Sequence, residues 1–138
     1  MNAKVFVDTN IFVYAKLFNA KEKLKYQKAV SFFNNQTNQV IISTQVLNEF
    51  SNVLLRHKVT DNAIIAAVNE IAQVTKVSPL TLETVQKAWQ IKQQYHFSYW
   101  DSLIISAALL ENCETLFTED LQHGQLIEKQ LVIQNPLI

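Results

Sequence analysis

The chain has 138 residues and a hydrophobic content of 49%, which together predict one folded domain spanning residues 1–138. Its formal net charge of zero excludes a protein that holds nucleic acid through bulk positive charge, so any such binding must depend on a local site. Cys113 is the single cysteine, which excludes an intrachain disulfide, and it forms no zinc pattern with the three histidines. Because we find neither a signal peptide nor an apolar run of membrane-spanning length, we expect a soluble, cytoplasmic protein.

The first half of the chain alternates short apolar runs with segments of helical periodicity. A buried strand that ends in an acidic residue is predicted for residues 4–8, and a β-branched strand for residues 40–42. The helical repeat is clearest where apolar residues recur at i, i+3, i+4 and i+7, namely at Tyr26, Ala29, Val30 and Phe33. The helices predicted in this half cover residues 10–18, 21–36, 45–57 and 61–74. The apolar side of the last of these helices is assigned to residues that include Ile64 and Ile65.

The second half continues the same alternation. A brief strand at residues 76–78 precedes a helix at 82–95, whose apolar side is assigned to Val85, Ala88 and Trp89. Residues 99–112 are apolar almost all round, which predicts a helix buried in the body of the domain. The last strands are predicted at 114–117 and 131–133. Short apolar strands separated by helices indicate an α/β fold, with a short, mainly parallel sheet covered on both faces.

Four acidic residues are expected at one edge of this sheet. Asp8 ends the first strand and Asp120 follows the strand at 114–117, so both should face the crevice outside the carboxyl ends of the strands. Asp101 begins the buried helix, and Glu49 lies at the edge of an apolar helix stripe. Four carboxylates in one place repel one another unless a cation neutralises them. Carboxylate oxygens without histidine or cysteine suit Mg²⁺ or Mn²⁺.

Each of the four acids also has a structural alternative that needs no metal. Asp8 could lie in a simple turn, with Asn10 capping the next helix, and Asp101 could form a variant of the capping box with Ser98 as the N-cap. Asp120 could form an Asx turn, and Glu49 could form an ion pair. The counter-ion of Glu49 in that pair would be Arg56 or a lysine elsewhere in the chain.

The ordered set of motifs around these acids resembles the PIN-domain family, and within it the ribonuclease toxins of the VapC type. The motifs are V-D-T-N at Asp8, L-N-E-F at Glu49, Y-W-D-S-L-I at Asp101 and T-E-D-L-Q-H-G at Asp120, and the likeness spans residues 5 to about 126. The resemblance implies a three-layer α/β/α fold and metal-dependent endonuclease cleavage of single-stranded or structured RNA. It also implies a homodimer and a small antitoxin partner whose tail covers the site.

The resemblance assigns roles to the matching positions. Asp8 and Asp101 match the best metal ligands, and Glu49 and Asp120 match the other two acids of the catalytic cluster. We expect the metal to be held by Asp8, Asp101 and Asp120, although the adjacent Glu119 leaves open which carboxylate completes the cluster. Small polar residues that support the cluster match Asn10 and Thr118.

A lysine-rich segment is the densest supply of positive charge in the sequence. Lys21, Lys25 and Lys28 fall at i, i+4 and i+7 of the helix predicted for residues 21–36, so they should share one stripe. An acidic site that binds a polyanion needs separate cations for the flanking phosphates, and the stripe is predicted to contact RNA there. The alternatives are a solvated helix face or a surface for a dimer or antitoxin.

Two other functions fit parts of the pattern. A phosphatase of the haloacid-dehalogenase kind also places an Asp after its first strand, but it needs a second Asp where this chain has Asn10. A non-catalytic binding module with a degenerate site is disfavoured by the presence of all four acids. The chain has no Gly-rich phosphate loop and no G-x-S-x-G motif. The acidic residues and the resemblance together predict a Mg²⁺- or Mn²⁺-dependent endoribonuclease, and the resemblance implies that it acts as the toxin of a toxin–antitoxin pair.

Overall fold

A computed structural model describes residues 3–138, and within them six strands and six α-helices follow the predicted α/β alternation. The strands are β1 (Lys4–Val7), β2 (Gln39–Ser43), β3 (Lys76–Ser78), β4 (Thr115–Phe117), β5 (Leu126–Ile127) and β6 (Leu131–Gln134). The helices are α1 (Thr9–Lys16), α2 (Lys23–Asn34), α3 (Thr44–Arg56), α4 (Asp61–Val74), α5 (Leu82–Tyr95) and α6 (Tyr99–Leu110). In these residues no helix is both long and apolar enough to cross a bilayer.

The strands form one sheet in the order β3-β2-β1-β4-β6-β5, and every pairing is parallel except that of β5 with β6. β1 pairs with β2 on one side and with β4 on the other, with Val7 opposite Phe117. The chain thus leaves β1 towards one edge of the sheet and later returns on its other side. The carboxyl ends of β1 and β4 form the switch point, where open parallel sheets bind their ligands.

Helices cover both faces of the sheet, which gives the three-layer α/β/α arrangement. α1 packs against α2 and α3, α3 packs against α4, and α5 packs against α6. Every residue of α6 from 102 to 109 is buried, so the predicted buried helix is confirmed. Fully buried strand residues complete the core, among them Phe6, Ile41, Leu116 and Ile133.

Several predicted elements have the bounds that the sequence indicated, and others differ for local reasons. The elements predicted at 61–74, 76–78 and 82–95 match in full. The helix predicted for 21–36 is wrong at both ends, because Ala20–Glu22 form a short 3-10 turn and α2 ends at Asn34. The helix predicted for 99–112 ends at Leu110, since Asn112 adopts a φ of +60°. The helix predicted for 10–18 begins at Thr9 and ends at Lys16.

Two predicted apolar faces are partly wrong, and one strand was not predicted. On α5 the buried stripe runs through Thr84, Ala88 and Ile91, and Trp89 is 51% exposed because it lies beside this contact with α6. On α4 the predicted core residue Ile65 is 57% exposed. β5 was missed because it spans two residues, too few to display an alternating pattern.

Candidate active site

Asp8 lies where β1 ends and α1 begins, and its side chain is 4% exposed. Its Oδ1 accepts a hydrogen bond from the backbone N–H of Thr9 at 2.7 Å. Its Oδ2 accepts from the hydroxyl of Thr118 at 2.8 Å. Thr118 directly follows β4, and the parallel register of β1 and β4 brings it opposite Asp8. The predicted supporting role of Thr118 thus has a direct geometric basis.

Asp120 is held at the same edge by Asn10. The Asn10 amide donates to Asp120 Oδ2 at 2.8 Å, and the Asp120 backbone N–H donates to the Thr118 hydroxyl at 3.1 Å. Asn10 therefore does not cap α1, and the alternative that made it a capping residue is wrong. Asp8 occupies the N-cap instead, because the helix begins one residue earlier than predicted.

Glu49 is oriented from two sides on α3. Its Oε2 accepts from the Thr9 hydroxyl at 3.2 Å, and its Oε1 accepts from the Gln45 amide at 2.7 Å. The Gln45 amide also donates to the backbone carbonyl of Trp100 at 3.2 Å, which ties α3 to the start of α6. Within residues 3–138, Glu49 forms no ion pair with Arg56, so that alternative is not supported.

Gln45 was missed in the sequence analysis, although the sequence carried a signal for it. Gln45 precedes Glu49 by four residues, a spacing at which two side chains on a helix meet. Gln45 is 4% exposed, and a buried amide needs hydrogen-bonding partners. Its Nε2 donates to Glu49 and to the backbone carbonyl of Trp100, and its Oε1 is buried without a partner.

Asp101 is the third residue of α6, as predicted. The N-cap residue Ser98 accepts a hydrogen bond from the backbone N–H of Asp101 at 3.1 Å, so Ser98 is confirmed as the N-cap of α6. This arrangement leaves the carboxylate of Asp101 beside the other acids, where it lines the same cleft. A position in a capped first turn is therefore compatible with a place in the site.

Glu119 has a different environment from its neighbour Asp120. Lys25 places its Nζ 3.0 Å from Glu119 Oε2 and 3.4 Å from the hydroxyl of Tyr14. The pairing lies at the wall of the acidic cleft, since both Tyr14 and Glu119 line it. Glu119 thus has a cation of its own, whereas Asp120 is held by the neutral amide of Asn10.

The predicted lysine stripe is only partly correct. Lys21 lies in the 3-10 turn, where its backbone N–H donates to the side chain of Asn19 at 3.0 Å, and so it is not on α2. Lys25 and Lys28 are both on α2, and Lys25 reaches the acidic site. The three lysines therefore do not form one helical row, because a 3-10 turn at Ala20–Glu22 precedes α2, which begins at Lys23.

One cleft of about 350 Å³ brings the predicted acids together. The charged residues that line it are Asp8, Glu49, Asp101, Glu119, Asp120 and Arg56. Within residues 3–138, no group of three acidic, histidine or cysteine side chains is positioned to bind one metal ion. A larger cavity of about 420 Å³ is lined mainly by apolar side chains, and Glu70 is the acidic residue among them.

The pKa values of Asp8 and Asp101 are raised mainly by burial and to a smaller extent by neighbouring negative charge. Burial raises the pKa of Asp8 to about 7, and Asp120 and Glu49 add to this effect, while the hydrogen bonds from Thr118 and Thr9 oppose it. Burial also raises the pKa of Asp101, again with contributions from Asp120 and Glu49. A divalent cation would offset both the desolvation and the repulsion. The donors are all oxygens, which suits Mg²⁺ or Mn²⁺.

The fold and the acid-lined cleft place the chain among three-layer α/β/α proteins with an acidic site at the carboxyl ends of their strands. The PIN domain family model matches residues 5–127, and the chain therefore belongs to the PIN-domain family. Among curated protein sequences, none matches the chain at a significant level.

Solved structures with the same fold include three from bacterial toxin–antitoxin systems. VapC20 of Mycobacterium tuberculosis, described as a sarcin–ricin loop cleaving toxin, has a TM-score of 0.69 at 20% identity, over 84% of this chain and 91% of that one. A toxin–antitoxin complex from Klebsiella pneumoniae has a TM-score of 0.71 at 16% identity, over 96% and 97%. VapBC2 of Rickettsia felis, bound to a DNA fragment from its promoter, has a TM-score of 0.67 at 21% identity, over 96% and 98%.

Proposed function

We propose that this protein is a metal-dependent endoribonuclease and the toxin of a toxin–antitoxin pair. The observation that carries the proposal is the convergence of Asp8, Glu49, Asp101 and Asp120, from four separate segments, on one cleft of a PIN-domain fold. The similar structures support it, because one is described as a sarcin–ricin loop cleaving toxin and another as a toxin–antitoxin complex.

In this proposal Asp8, Asp101 and Asp120 hold one Mg²⁺ or Mn²⁺ ion. Two of the three carboxylates have a raised pKa, so binding a cation would relieve their desolvation and mutual repulsion. When bound, the ion supplies a Lewis acid for the phosphoryl group and neutralises charge that develops during hydrolysis. The side chain of Asp120 is exposed, so it can turn towards such an ion.

The remaining residues of the cleft orient the reaction. We assign Glu49 to accept the proton of the attacking water, because each of its two oxygens is fixed by one donor, from Thr9 or Gln45. Asn10 orients Asp120. Arg56, which lines the same cleft, binds the scissile phosphate and offsets its charge.

A cleavage assay with a matched pair of variants tests the nuclease. Purified protein is expected to cleave RNA in the presence of Mg²⁺ or Mn²⁺ and to stop when EDTA is added. Asp101→Asn should reduce the rate at least about 100-fold, because even residues outside the metal shell contribute 10–100-fold. Asp61→Asn, the same change at an exposed position on α4, should cleave like the wild type. Undiminished cleavage by Asp101→Asn, in a preparation cleared of contaminating nuclease, refutes the site.

The toxin assignment includes a homodimer in the cytoplasm and a small antitoxin whose tail covers the cleft. We expect expression of the wild-type chain without a partner to arrest growth, and Asp101→Asn at the same protein level to permit it. Equal growth in both cultures would refute the toxin assignment but would not contradict the nuclease assignment. The phosphatase alternative is weaker, because the position of its second Asp is Asn10, whose amide is engaged with Asp120.

A further inference from the structure

Three aromatic side chains form a surface that we call the aromatic ledge: Trp89 on α5, and Tyr99 and Trp100 at the start of α6. The ring centroids of Trp89 and Tyr99 are 5.0 Å apart, and those of Tyr99 and Trp100 are 5.4 Å apart. Trp89 is 51% exposed and Trp100 is 65% exposed. Lys92 places its Nζ 6.0 Å from the centre of the Trp89 ring, which adds a positive charge to the ledge.

The ledge is continuous with the acidic cleft. Trp100 lines the cleft and directly precedes Asp101 in α6. The backbone carbonyl of Trp100 accepts from the Gln45 amide, which also holds Glu49. The position of Trp100 is therefore fixed by the same hydrogen bonds that orient an acid of the site. A polymer that lies across the cleft meets the Trp100 ring at its rim.

Two large aromatic rings exposed beside a site for a polyanion are suited to one kind of occupant. Unpaired nucleotides carry both a flat base that stacks on an aromatic ring and a phosphate that is attracted to cations. A base-paired helix hides the faces of its bases and cannot use such a surface. The cations placed to meet the phosphates are Lys92 on the ledge and Arg56 in the cleft.

We propose that the aromatic ledge is a base-stacking subsite, which binds unpaired nucleotides adjacent to the scissile phosphate with Trp100 as the first platform. The inference rests on the proposed ribonuclease function and assigns the contact with the bases to three side chains outside the acidic cluster. This site was not apparent from the sequence, because the helical spacing of Trp89 placed it with the core residues and Trp100 stood out only as part of a motif.

Tryptophan fluorescence, excited at a wavelength where tyrosine does not absorb, reports on the ledge, because Trp89 and Trp100 are the only two tryptophans of the chain. The probe is a single-stranded RNA octamer, added with Ca²⁺ in place of Mg²⁺ and checked for integrity by electrophoresis. The control ligand is an octamer of the same charge without bases. We expect the intact octamer to quench the emission, with the abasic octamer having little effect. In the Trp89→Phe variant, where Trp100 is the reporter, the quenching should persist.

Affinity measurements with labelled RNA separate stacking from charge. Trp100→Ala should weaken binding of the intact octamer about 5- to 150-fold, the equivalent of 1–3 kcal/mol for one stacked base. Its salt slope should equal that of the wild type, because the variant still neutralises the same phosphates. Trp100→Phe should recover most of the affinity. Ile65→Ala, which removes a side chain of similar exposure from α4, should bind like the wild type.

Several results would contradict the base-stacking role of the aromatic ledge. Wild-type affinity of Trp100→Ala, or equal binding of the intact and abasic octamers, would refute this role. The nuclease proposal would still hold if the RNA is cleaved. An emission that changes with protein concentration and not with RNA assigns the ledge to contact with a second copy of the chain. If RNA is neither bound nor cleaved with any metal, the nuclease proposal and the ledge both fail.

Discussion

The Asp8→Asn variant should be inactive yet more stable than the wild type in the absence of metal. The substitution keeps the shape of the side chain and removes its charge. The asparagine carbonyl still accepts from the N–H of Thr9, which now donates to Asp8 Oδ1. The amide that replaces Oδ2 cannot accept from the hydroxyl of Thr118, so one buried hydrogen bond is broken or rearranged. Such a change costs roughly 1 kcal/mol.

The gain from removing the charge depends on pH. The pKa of Asp8 is raised from 3.8 to about 7, so between these values the folded chain binds a proton that the unfolded chain has released. Stability of the metal-free wild type therefore falls as the pH rises from about 4 to about 7, and then stays level. At 1.36 kcal/mol per pKa unit, the free energy of unfolding is lower than its value below pH 4 by about 4 kcal/mol above pH 7 and by about 1.5 kcal/mol at pH 5.

Urea unfolding in EDTA at pH 5 and pH 8 measures this difference. The stability of Asp8→Asn relative to the wild type should grow by about 3 kcal/mol between the two pH values, or roughly 10 °C in Tm for a domain of this size. Asp61→Asn, on the exposed start of α4, should show no such growth. Saturating Mg²⁺ should stabilise the wild type and narrow its gap to Asp8→Asn, because ligand binding favours the folded state.

The outcome that would refute this reasoning is a relative stability that is the same at both pH values. Asp8 would then carry no buried charge that titrates in this range, and the electrostatic argument for a cation in the cleft would lose its main support. A variant that is less stable than the wild type at pH 8 would lead to the same conclusion. Retained RNA cleavage by Asp8→Asn would separately remove Asp8 from the metal site.

Two further predictions concern charged residues around the cleft. Asp120→Asn should abolish metal-dependent cleavage, while Glu119→Gln should reduce it less than about tenfold, because Glu119 is paired with Lys25; the reverse order of the two rates would assign the metal to Glu119. Replacing Lys21, Lys25 and Lys28 together by Gln should weaken RNA binding and flatten its salt dependence, by about 0.7 for each phosphate that is no longer neutralised. A salt slope equal to that of the wild type would make these lysines a solvated or protein-binding surface.

The parts of the fold that sequence predicted well are those set by local patterns. α4 and α5 have the predicted bounds because threonines cap their first turns, with Thr60 accepting from Ala63 and Thr81 accepting from Thr84. The placement of the acids at one edge followed from the rule that parallel strands end together. That rule needed only the order of the elements, and the parallel pairing of β1 with β4 satisfies it.

The features of the fold and of the site that could not be predicted from the sequence depend on contacts between distant segments. The sequence around Trp89 does not distinguish this half-exposed residue from a core residue. Only the packing of α5 on α6 decides which side of α5 is buried. Likewise, Lys25 belonged to a stripe by its spacing, but its neighbour Glu119 is 94 residues away in the chain. The pairing that separates Glu119 from Asp120 was therefore outside the reach of any pattern within either segment.

Thr118 helps to hold the acids of the site in place although their charges repel one another. Its side chain is fully buried, and its hydroxyl donates to Asp8 and accepts from the Asp120 backbone N–H. The Asn10 amide approaches the same oxygen at 3.5 Å, so one donor and two acceptor positions of the hydroxyl are engaged. Because Asn10 also donates to Asp120, one hydroxyl and one amide link both strand-end acids. The acids are thus oriented by neutral groups, which leaves their charge uncompensated and available to a cation.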